Sequence, residues 1–386
     1  MSEFDFSSIE PYSGAEVPKA IYRLSHNPMF TRWVRAMNPN LDISSFAALL
    51  ECVNTCDEFQ FMVMRPLVYQ IVKMSTTGLT YSGLECLKPG KAYLFVSNHR
   101  DITLDAALLD VIFLGNHLQT PEVGFGNNLM KNEMIVDIFR LNKMFTIIRD
   151  GSRRDFYNNS RYLSAYIHHV LTEKNSSVWI AQRNGRTKDG NDRTDQGLLK
   201  MFSMAGTGDF EADFNAMQIV PVAMSYEYEP CGQLKTVEHY VSLNGIYTKT
   251  HNEDMLSIMS GITQKKGAVH CAICEPIREE EVARCASLEK NERFAALAEV
   301  IDNRIHQGYK LHPTNYIAAD LLRGTAHYDE HYSTDQMEHF IEHVCRSSEQ
   351  SLSTGAKTFF RDIFLKMYAN PLINQLEQGV KQDIVI

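Results

Sequence analysis

The segment AYLFVSNHRDITLDAALLDVIFL, residues 92–114, places two kinds of apolar pattern on either side of a polar turn. AYLFVS is a short apolar run of the length of a strand. DAALLDVIFL is longer and almost wholly apolar, which favours a helix that packs against such a strand. A strand followed at once by a helix is the repeating unit of α/β folds, so this stretch predicts that class.

The same alternation continues along the middle of the chain. Short apolar runs such as EVGFG, MFTII, SVWIAQ and MQIVPVAMSY alternate with helical stretches between residues 79 and 276, as expected for strands joined by crossover helices. The pattern from residue 17 to 78 is helical, and it becomes helical again after residue 277. We therefore predict a helical N-terminal region, residues 1–78, and an α/β domain, residues 79–386, whose C-terminal helices begin near residue 278.

Charge is distributed unevenly over the 386 residues. The formal net charge is −9, yet the segment from Arg149 to Lys200 holds ten Lys or Arg against six Asp or Glu. Nucleic-acid binding depends mainly on many phosphate contacts along a basic surface, so an acidic chain with one basic island argues against nucleic acid. The basic island instead favours a small anionic ligand.

The cysteines and the lengths of the apolar runs indicate the cellular compartment, and they argue against a metal site and a membrane-spanning helix. The eight cysteines and the absence of a signal-peptide pattern predict reduced thiols and a cytoplasmic protein. Cys271 and Cys274 form one C-x-x-C, but the surrounding strand pattern points residues three apart to opposite faces, so we predict no metal site. The longest apolar-leaning run, FMVMRPLVYQIVKM, is 14 residues and too short to span a bilayer.

His99 and Asp105 lie in the turn after AYLFVS and at the start of the following helix. Ligands of α/β proteins bind at the carboxyl ends of strands, and an imidazole held by a carboxylate can take a proton from a hydroxyl. The pair is thus a candidate catalytic dyad. The alternative is that His99 caps the turn and that Asp105 is an early-helix carboxylate favoured by the helix dipole.

Four segments, in order, resemble blocks of the glycerolipid acyltransferases, which move acyl groups from coenzyme A or acyl carrier protein to glycerol phosphate or lysolipids. NHRDITLD, residues 98–105, is similar to the family's His–Asp block. GFGNNLMKNEMIVDIFRLNKMFTIIRD, residues 124–150, is similar to a block whose strand ends in an arginine. VWIAQRNGRTKDGNDRTDQGLLKM, residues 178–201, is similar to a block rich in glycine and basic residues, and IVPVAMSYEY, residues 219–228, to a VPVxxxYE strand.

This resemblance implies a mixed central sheet flanked by helices, with helical additions at both ends, and an O-acyltransferase mechanism. His99 would act as general base and Asp105 would orient it. The implied substrate-binding residues are Asn98, Arg149, Asn184, Gly185, Arg186, Thr187 and Pro221. Gly185 and Gly190 would let the backbone approach an anion, or would simply form turns. No cofactor is implied beyond acyl-CoA or acyl carrier protein as co-substrate, and the acceptor would carry phosphate or be a lysolipid.

Two departures from the family pattern keep other functions open. Five residues separate His99 from Asp105, where the family has four, and Asp101 is then the alternative orienting carboxylate. Arg183 or Asn184, depending on register, stands where the family has a glutamate. The alternatives are an O-acyltransferase for an amino-acid lysolipid, such as an ornithine or glycine lipid, and a non-catalytic lipid or acyl-carrier binding protein of the same fold.

A lipid product would make peripheral contact with the cytoplasmic membrane useful. The N-terminal helices offer Met62, Met64 and Val68 as an apolar patch for such contact. Packing inside the protein is the alternative for these three side chains, and it is the one that we favour.

Overall fold

The computed structural model describes residues 4–38, 41–130, 132–149, 151–250, 252–349 and 357–383. In this part of the chain, seven strands form one sheet with the order β1-β7-β6-β2-β5-β3-β4. The strands are β1 Thr76–Ser82, β2 Leu94–Ser97, β3 Glu122–Gly126, β4 Met144–Ile147, β5 Val178–Ala181, β6 Ile219–Tyr226 and β7 Gly267–Ile273. Strands β2 to β6 are mutually parallel, whereas β7 pairs antiparallel with β6 and parallel with β1. The sheet is therefore mixed, and the predicted α/β class is confirmed.

Helices cover both faces of this sheet and extend it at both ends. The first twelve are α1 Glu16–Ser25, α2 Pro28–Met37, α3 Ile43–Glu51, α4 Cys56–Phe59, α5 Arg65–Ser75, α6 Leu104–Gly115, α7 Glu133–Leu141, α8 Arg153–Thr172, α9 Gln196–Phe202, α10 Phe210–Met217, α11 Gly232–Asn244 and α12 Glu253–Thr263. The last five are α13 Glu279–Ala286, α14 Arg293–Gly308, α15 Pro313–Arg323, α16 Thr334–Glu349 and α17 Lys357–Asp383. The predicted helical additions before and after the sheet are thus confirmed.

The alternation of side chains along the central strands divides the core into two layers. On β2, Phe95 packs with the N-terminal helices and α6, whereas Leu94 and Val96 pack on the other face with α8, α9 and α14. Every residue of β6 is buried, which explains its continuous apolar run. A third cluster joins α15, α16 and α17.

The first strand was not predicted, because residues up to 78 were assigned to helices. Helix α5 ends at Ser75, and the segment TTGLTYS then forms β1 along the edge of β7. Three threonines and a tyrosine suit a strand, but β1 is a largely exposed edge strand and lacks the apolar run that identifies the others. Since β1 extends across residue 78, the boundary between the two predicted domains stays a prediction.

Candidate active site

The turn between β2 and α6 is organised by Asp101. Its Oδ1 accepts hydrogen bonds from the backbone N–H groups of Thr103, at 2.9 Å, and Leu104, at 2.8 Å, so it satisfies the first free donors of α6. Asp101 is therefore a helix cap in this structure, and not the carboxylate that orients His99. The turn leaves His99 at the carboxyl end of a central parallel strand.

His99 and Asp105 are in direct contact. Nδ1 of His99 lies 2.9 Å from Oδ2 of Asp105, and the same oxygen accepts the backbone N–H groups of Arg100, at 2.6 Å, and Asp101, at 2.9 Å. Burial raises the pKa of Asp105, but the hydrogen bonds and the adjacent imidazole outweigh it and hold that pKa below the usual value. A carboxylate at this position places the ring proton on Nδ1 and leaves Nε2 to accept one.

The longer His–Asp spacing does not separate the two side chains. The carboxylate of Asp105 reaches back over the turn and binds two successive backbone N–H groups, so the extra residue lies within this closed loop. The structure thus brings the two predicted catalytic residues together, and their catalytic role stays a prediction.

A buried ionic cluster lies behind the turn. The guanidinium of Arg100 has no exposed surface and pairs with Asp192 at 2.5 Å and Glu229 at 3.1 Å. The ammonium of Lys235 binds Glu229 at 2.6 Å and the backbone carbonyl of Arg100 at 2.5 Å. Buried charges at these distances compensate one another, and they fix the backbone next to His99 from three separate parts of the chain.

A cavity of about 590 Å³ opens in front of His99. Most of its wall is apolar and comes from β3, β4, β5, α8, α9 and the turn after α9: Val123, Phe125, Met144, Leu163, Trp179, Ile180, Met201 and Met204. Trp179 meets the His99 ring edge to face, with centroids 6.0 Å apart. A cavity of this size and polarity is typical of a site for an organic ligand with a long apolar part.

The charged part of the cavity is predominantly cationic. Six cationic side chains and three carboxylates line it: Arg149, Arg183, Arg186, Lys188, Lys200 and Lys249, with Asp195, Glu238 and Asp254. Arg186 is only 6% exposed, and its Nη2 donates to Ser257 Oγ at 3.1 Å. Its Nη1 is buried without a hydrogen-bond partner in the described part of the chain. A buried guanidinium with a free N–H is well suited to bind an anion.

Four of the predicted substrate-binding residues line this cavity beside His99: Arg149, Asn184, Gly185 and Arg186. Gly185 has a φ of +76°, which glycine adopts without strain, and this turn exposes Asn184 at the rim while Arg186 points inward. The register that places Asn184 next to the cavity is thus consistent with the geometry. Arg149 is exposed at the end of β4, and its guanidinium packs against Gly126, where a Cβ would lie 3.0 Å from it.

The other three predicted binding residues do not line the cavity, and their role in binding stays a prediction. Asn98 is fully buried, and its amide binds Asp192 and the backbone of Met224. Thr187 is also buried, and its backbone N–H donates to the His99 carbonyl at 2.9 Å. Pro221 lies inside β6, paired in register with Val96 of β2. These residues hold the turn and the sheet in place because they face the protein interior.

Gly190 is likewise not part of the cavity wall. It has a φ of +72°, and a Cβ there would lie 2.1 Å from the carbonyl oxygen of Met367 on α17. The glycine therefore permits close packing of the basic loop against the C-terminal helix, and not the approach of an anion.

Residues 78–225, which include the dyad and most of the cavity wall, match the family model described as Acyltransferase. This segment of the chain is therefore similar to acyltransferases, which agrees with the predicted family and the predicted class of enzyme. A search of solved structures found similarity to the 1-acyl-sn-glycerophosphate (LPA) acyltransferase PlsC from Thermotoga maritima, with 12% identity, coverage of 76% of this chain and 93% of that chain, and a TM-score of 0.40. No curated protein sequence matched.

Two residues of the candidate site were missed by sequence reasoning. Tyr226 donates its hydroxyl to Asp105 Oδ1 at 2.8 Å, and Ser257 binds Arg186 from α12. Tyr226 lies in the VPVxxxYE-like segment, so its position in that strand was an available signal. Ser257 lies outside the matched segment and outside any motif, and only the folded chain brings it to the cavity.

The part of the chain that the structure describes contains neither a cluster of metal-binding side chains nor a helix that could span a membrane. No group of three or more His, Cys, Asp or Glu side chains there could hold a metal ion. None of the described helices combines the length and apolar character needed to cross a bilayer.

Proposed function

We propose that this enzyme transfers a fatty acyl group from an acyl thioester, acyl-CoA or acyl carrier protein, to the hydroxyl of glycerol-3-phosphate or a lysophospholipid. The observation that carries the proposal is that His99, held by Asp105, lines the same cavity as an apolar wall and the buried, incompletely bonded Arg186. The apolar wall suits an acyl chain, the guanidinium suits an anion, and His99 would act on the acceptor hydroxyl.

The chemistry follows from the ring nitrogen that remains available. In this scheme Nε2 of His99 removes the proton of the acceptor hydroxyl as its oxygen attacks the thioester carbonyl. Asp105 stabilises the resulting imidazolium through Nδ1. When the tetrahedral intermediate collapses, the C–S bond breaks and the imidazolium returns the proton to the leaving thiolate. The scheme needs no covalent acyl-enzyme and no cofactor beyond the acyl donor.

The ionic contacts of the cavity favour a phosphate-bearing acceptor over an ornithine lysolipid. An ornithine lipid would require a carboxylate for its ammonium group, but two of the three carboxylates that line the cavity are already paired with lysines. Glu238 pairs with Lys188 at 3.1 Å, and Asp254 pairs with Lys249 and accepts from Asn128 at 3.2 Å. Arg186, in contrast, keeps a buried N–H without a partner in the described residues.

The contact between His99 and Asp105 favours catalysis over simple lipid binding. A dyad requires a hydrogen bond of roughly 2.6–3.2 Å between base and orienting group, and the distance here is 2.9 Å. A binding protein would have no need to hold a buried carboxylate against an imidazole that faces the ligand cavity.

A direct assay tests the proposal. The purified chain is incubated with radiolabelled palmitoyl-CoA or palmitoyl-acyl carrier protein and with glycerol-3-phosphate, lysophosphatidic acid, lyso-ornithine lipid or lyso-glycine lipid, and the products are resolved by chromatography. We expect labelled product with a phosphate-bearing acceptor, and a loss of about 10²- to 10⁴-fold in rate for His99→Ala with an unchanged circular dichroism spectrum. Activity of His99→Ala within threefold of the unmodified protein would exclude His99 as the base. Product with the amino-acid lysolipids alone would reassign the acceptor.

A further inference from the structure

Helix α12 buries several polar side chains and exposes several apolar ones, although its Ile258 and Ile262 pack against the core. Asp254, Ser257 and Gly261 face inward, whereas Leu256 is 60% exposed and lies among other outward apolar residues. The outward apolar side chains of α12 are Met255, Leu256 and Met259. A surface helix in water normally has the opposite arrangement, with its apolar stripe toward the core.

Helix α11 and the loop that follows it show the same inversion. Lys235 and Thr236 of α11 are buried, whereas Leu243 is exposed and Ile246, in the loop, is 93% exposed. We call the outward apolar side chains of this segment the outer face, and it consists of Leu234, Leu243, Ile246, Met255, Leu256 and Met259. Six large apolar side chains are therefore exposed between Gly232 and Thr263, and exposed apolar side chains in such number are typical of an interaction surface.

The inward polar residues have reasons to point inward. Ser257 binds Arg186, Asp254 lines the cavity and pairs with Lys249, and Lys235 belongs to the buried cluster with Glu229. The polar side of each helix is thus fixed by the active site. Its apolar side is left facing outward, and these side chains remain exposed in the part of the chain that the structure describes.

The rim of the cavity continues the apolar surface on the other side of the entrance. Phe156 and Tyr157, at the start of α8, line the same cavity as Asp254 and Lys249, and they are 68% and 60% exposed. The neighbouring Arg153 and Arg154 are exposed as well. Apolar side chains beside cations around a cationic cavity are complementary to a surface with acyl chains below anionic head groups.

We infer that the outer face of α11 and α12, together with Phe156 and Tyr157, docks on an anionic lipid bilayer with the cavity entrance toward the membrane. The surface itself is argued from burial and exposure, and only the choice of a bilayer as the partner rests on the proposed function. An acyl chain or lysolipid can then enter the apolar cavity directly from the bilayer. The N-terminal helices do not provide this surface through the predicted residues, because Val68 is buried and Met62 and Met64 pack partly against the core.

Vesicle co-sedimentation tests the inference with a triple variant, Leu243→Gln, Ile246→Gln and Leu256→Gln, none of which lines the cavity. The matched control carries Tyr22→Gln, Met29→Gln and Phe61→Gln, which are also large exposed side chains but belong to the N-terminal helices. We expect the unmodified chain to bind vesicles of phosphatidylglycerol and phosphatidylcholine more tightly than vesicles of phosphatidylcholine alone. The triple variant should bind them at least about tenfold more weakly, and the control should bind as the unmodified chain does.

A second assay separates docking from catalysis. Acyl transfer from hexanoyl-CoA to glycerol-3-phosphate is measured without vesicles, and we expect the triple variant to retain activity within about threefold because its substitutions lie outside the cavity. If no protein is active in this assay, the proposed function fails while vesicle binding still reports on docking.

Several results would overturn the inference. They are absence of vesicle binding by the unmodified chain, equal binding by the triple variant, and loss of binding in the N-terminal control. A dimer that the triple variant dissociates would show that a second copy covers the outer face. Loss of activity by the triple variant only with a carrier-protein donor, in the absence of vesicles, would show that the carrier is the partner.

Discussion

The hydroxyl of Tyr226 on β6 donates a hydrogen bond of 2.8 Å to Oδ1 of Asp105, while Oδ2 of the same carboxylate binds Nδ1 of His99. The carboxylate is therefore held from two sides, by the sheet and by the imidazole. Burial, followed by the charge of Asp105, raises the pKa of Tyr226 well above its usual value. Tyr226 consequently remains a protonated donor at any pH at which the enzyme would work.

We predict that Tyr226→Phe lowers kcat/KM and shifts the pH dependence of kcat/KM. Without the tyrosine donor, the carboxylate of Asp105 attracts a protonated imidazole more strongly, so the acid limb of the kcat/KM profile should move to higher pH. Loss of a hydrogen bond to a charged group corresponds to a decrease of about tenfold in rate. The measurement is a pH–rate profile with the preferred donor and acceptor.

Tyr166→Phe is the matched control for this variant. Tyr166 also donates to a buried carboxylate, that of Glu122, but it lies on α8 away from the dyad. The control should lose some stability and keep the acid limb in place. If the acid limb of the kcat/KM profile is also unshifted in Tyr226→Phe, then Tyr226 has only a structural role.

Arg186 and Arg149 should differ in their contribution to acceptor binding. Arg186 is buried with a free N–H, whereas Arg149 is exposed and its attraction for an anion is weakened by solvent. We predict that Arg186→Ala raises the KM for a phosphate-bearing acceptor about 10- to 100-fold, and that Arg149→Ala raises it less. The KM for the acyl donor should change little in either variant.

Steady-state kinetics with each substrate varied in turn would check this difference. Arg186→Lys is an informative companion, because it keeps the charge and loses the planar pair of donors. An acceptor KM for Arg186→Lys that lies between those of the unmodified protein and Arg186→Ala would agree with bidentate recognition. Equal increases in the KM for donor and acceptor would contradict a role for Arg186 in holding the acceptor anion.

The sequence was informative where a feature depends on neighbouring residues. Strands β2 to β6 form apolar runs because both faces of the sheet are covered, and the turn of His99 follows directly from the strand and helix around it. The contact between His99 and Asp105 could also be predicted despite the unusual spacing, because both residues belong to one turn and the helix that follows it. The exposed edge strand β1 lacked an apolar run and was missed.

Features that depend on distant residues could not be predicted in this way. Arg100 pairs with Glu229, which is 129 residues away, and no local pattern identifies that partner. Asn98 and Thr187 belong to motif-like segments, yet the fold turns them toward the interior. The sequence also did not predict that α12 turns Ser257 inward and exposes apolar side chains, because this orientation depends on the contact of Ser257 with Arg186.

The stability of the chain should depend on pH through Asp110 on α6. Burial raises the pKa of this carboxyl to about 8, and its Oδ1 has no hydrogen-bond partner among the described residues. The folded chain keeps the proton up to about pH 8, whereas the unfolded chain releases it from about pH 4. The unfolded state thus binds fewer protons in this window, and stability falls as pH rises through it.

We predict that Asp110→Asn increases the free energy of unfolding near pH 8 by on the order of 1–3 kcal/mol, because the amide has no charge to desolvate. The increase should disappear below about pH 4, where the aspartate becomes protonated in both states. Urea unfolding of the two proteins across this range would measure the effect. A difference that is constant with pH would mean that packing, and not ionisation, distinguishes them.

Asn184→Glu tests one of the two positions, Arg183 or Asn184, that correspond to the glutamate of the resembled family. Asn184 is exposed at the cavity rim, next to the buried Arg186, so a carboxylate there would add repulsion for an anionic acceptor that solvent partly screens. We therefore predict a modest increase in the acceptor KM, about two- to fivefold, which shrinks at high ionic strength. Asn184→Gln has the same size without the charge and should leave the KM unchanged. Faster turnover in Asn184→Glu alone would show instead that the carboxylate orders Arg186, and an unchanged KM and turnover would place this side chain outside the acceptor site.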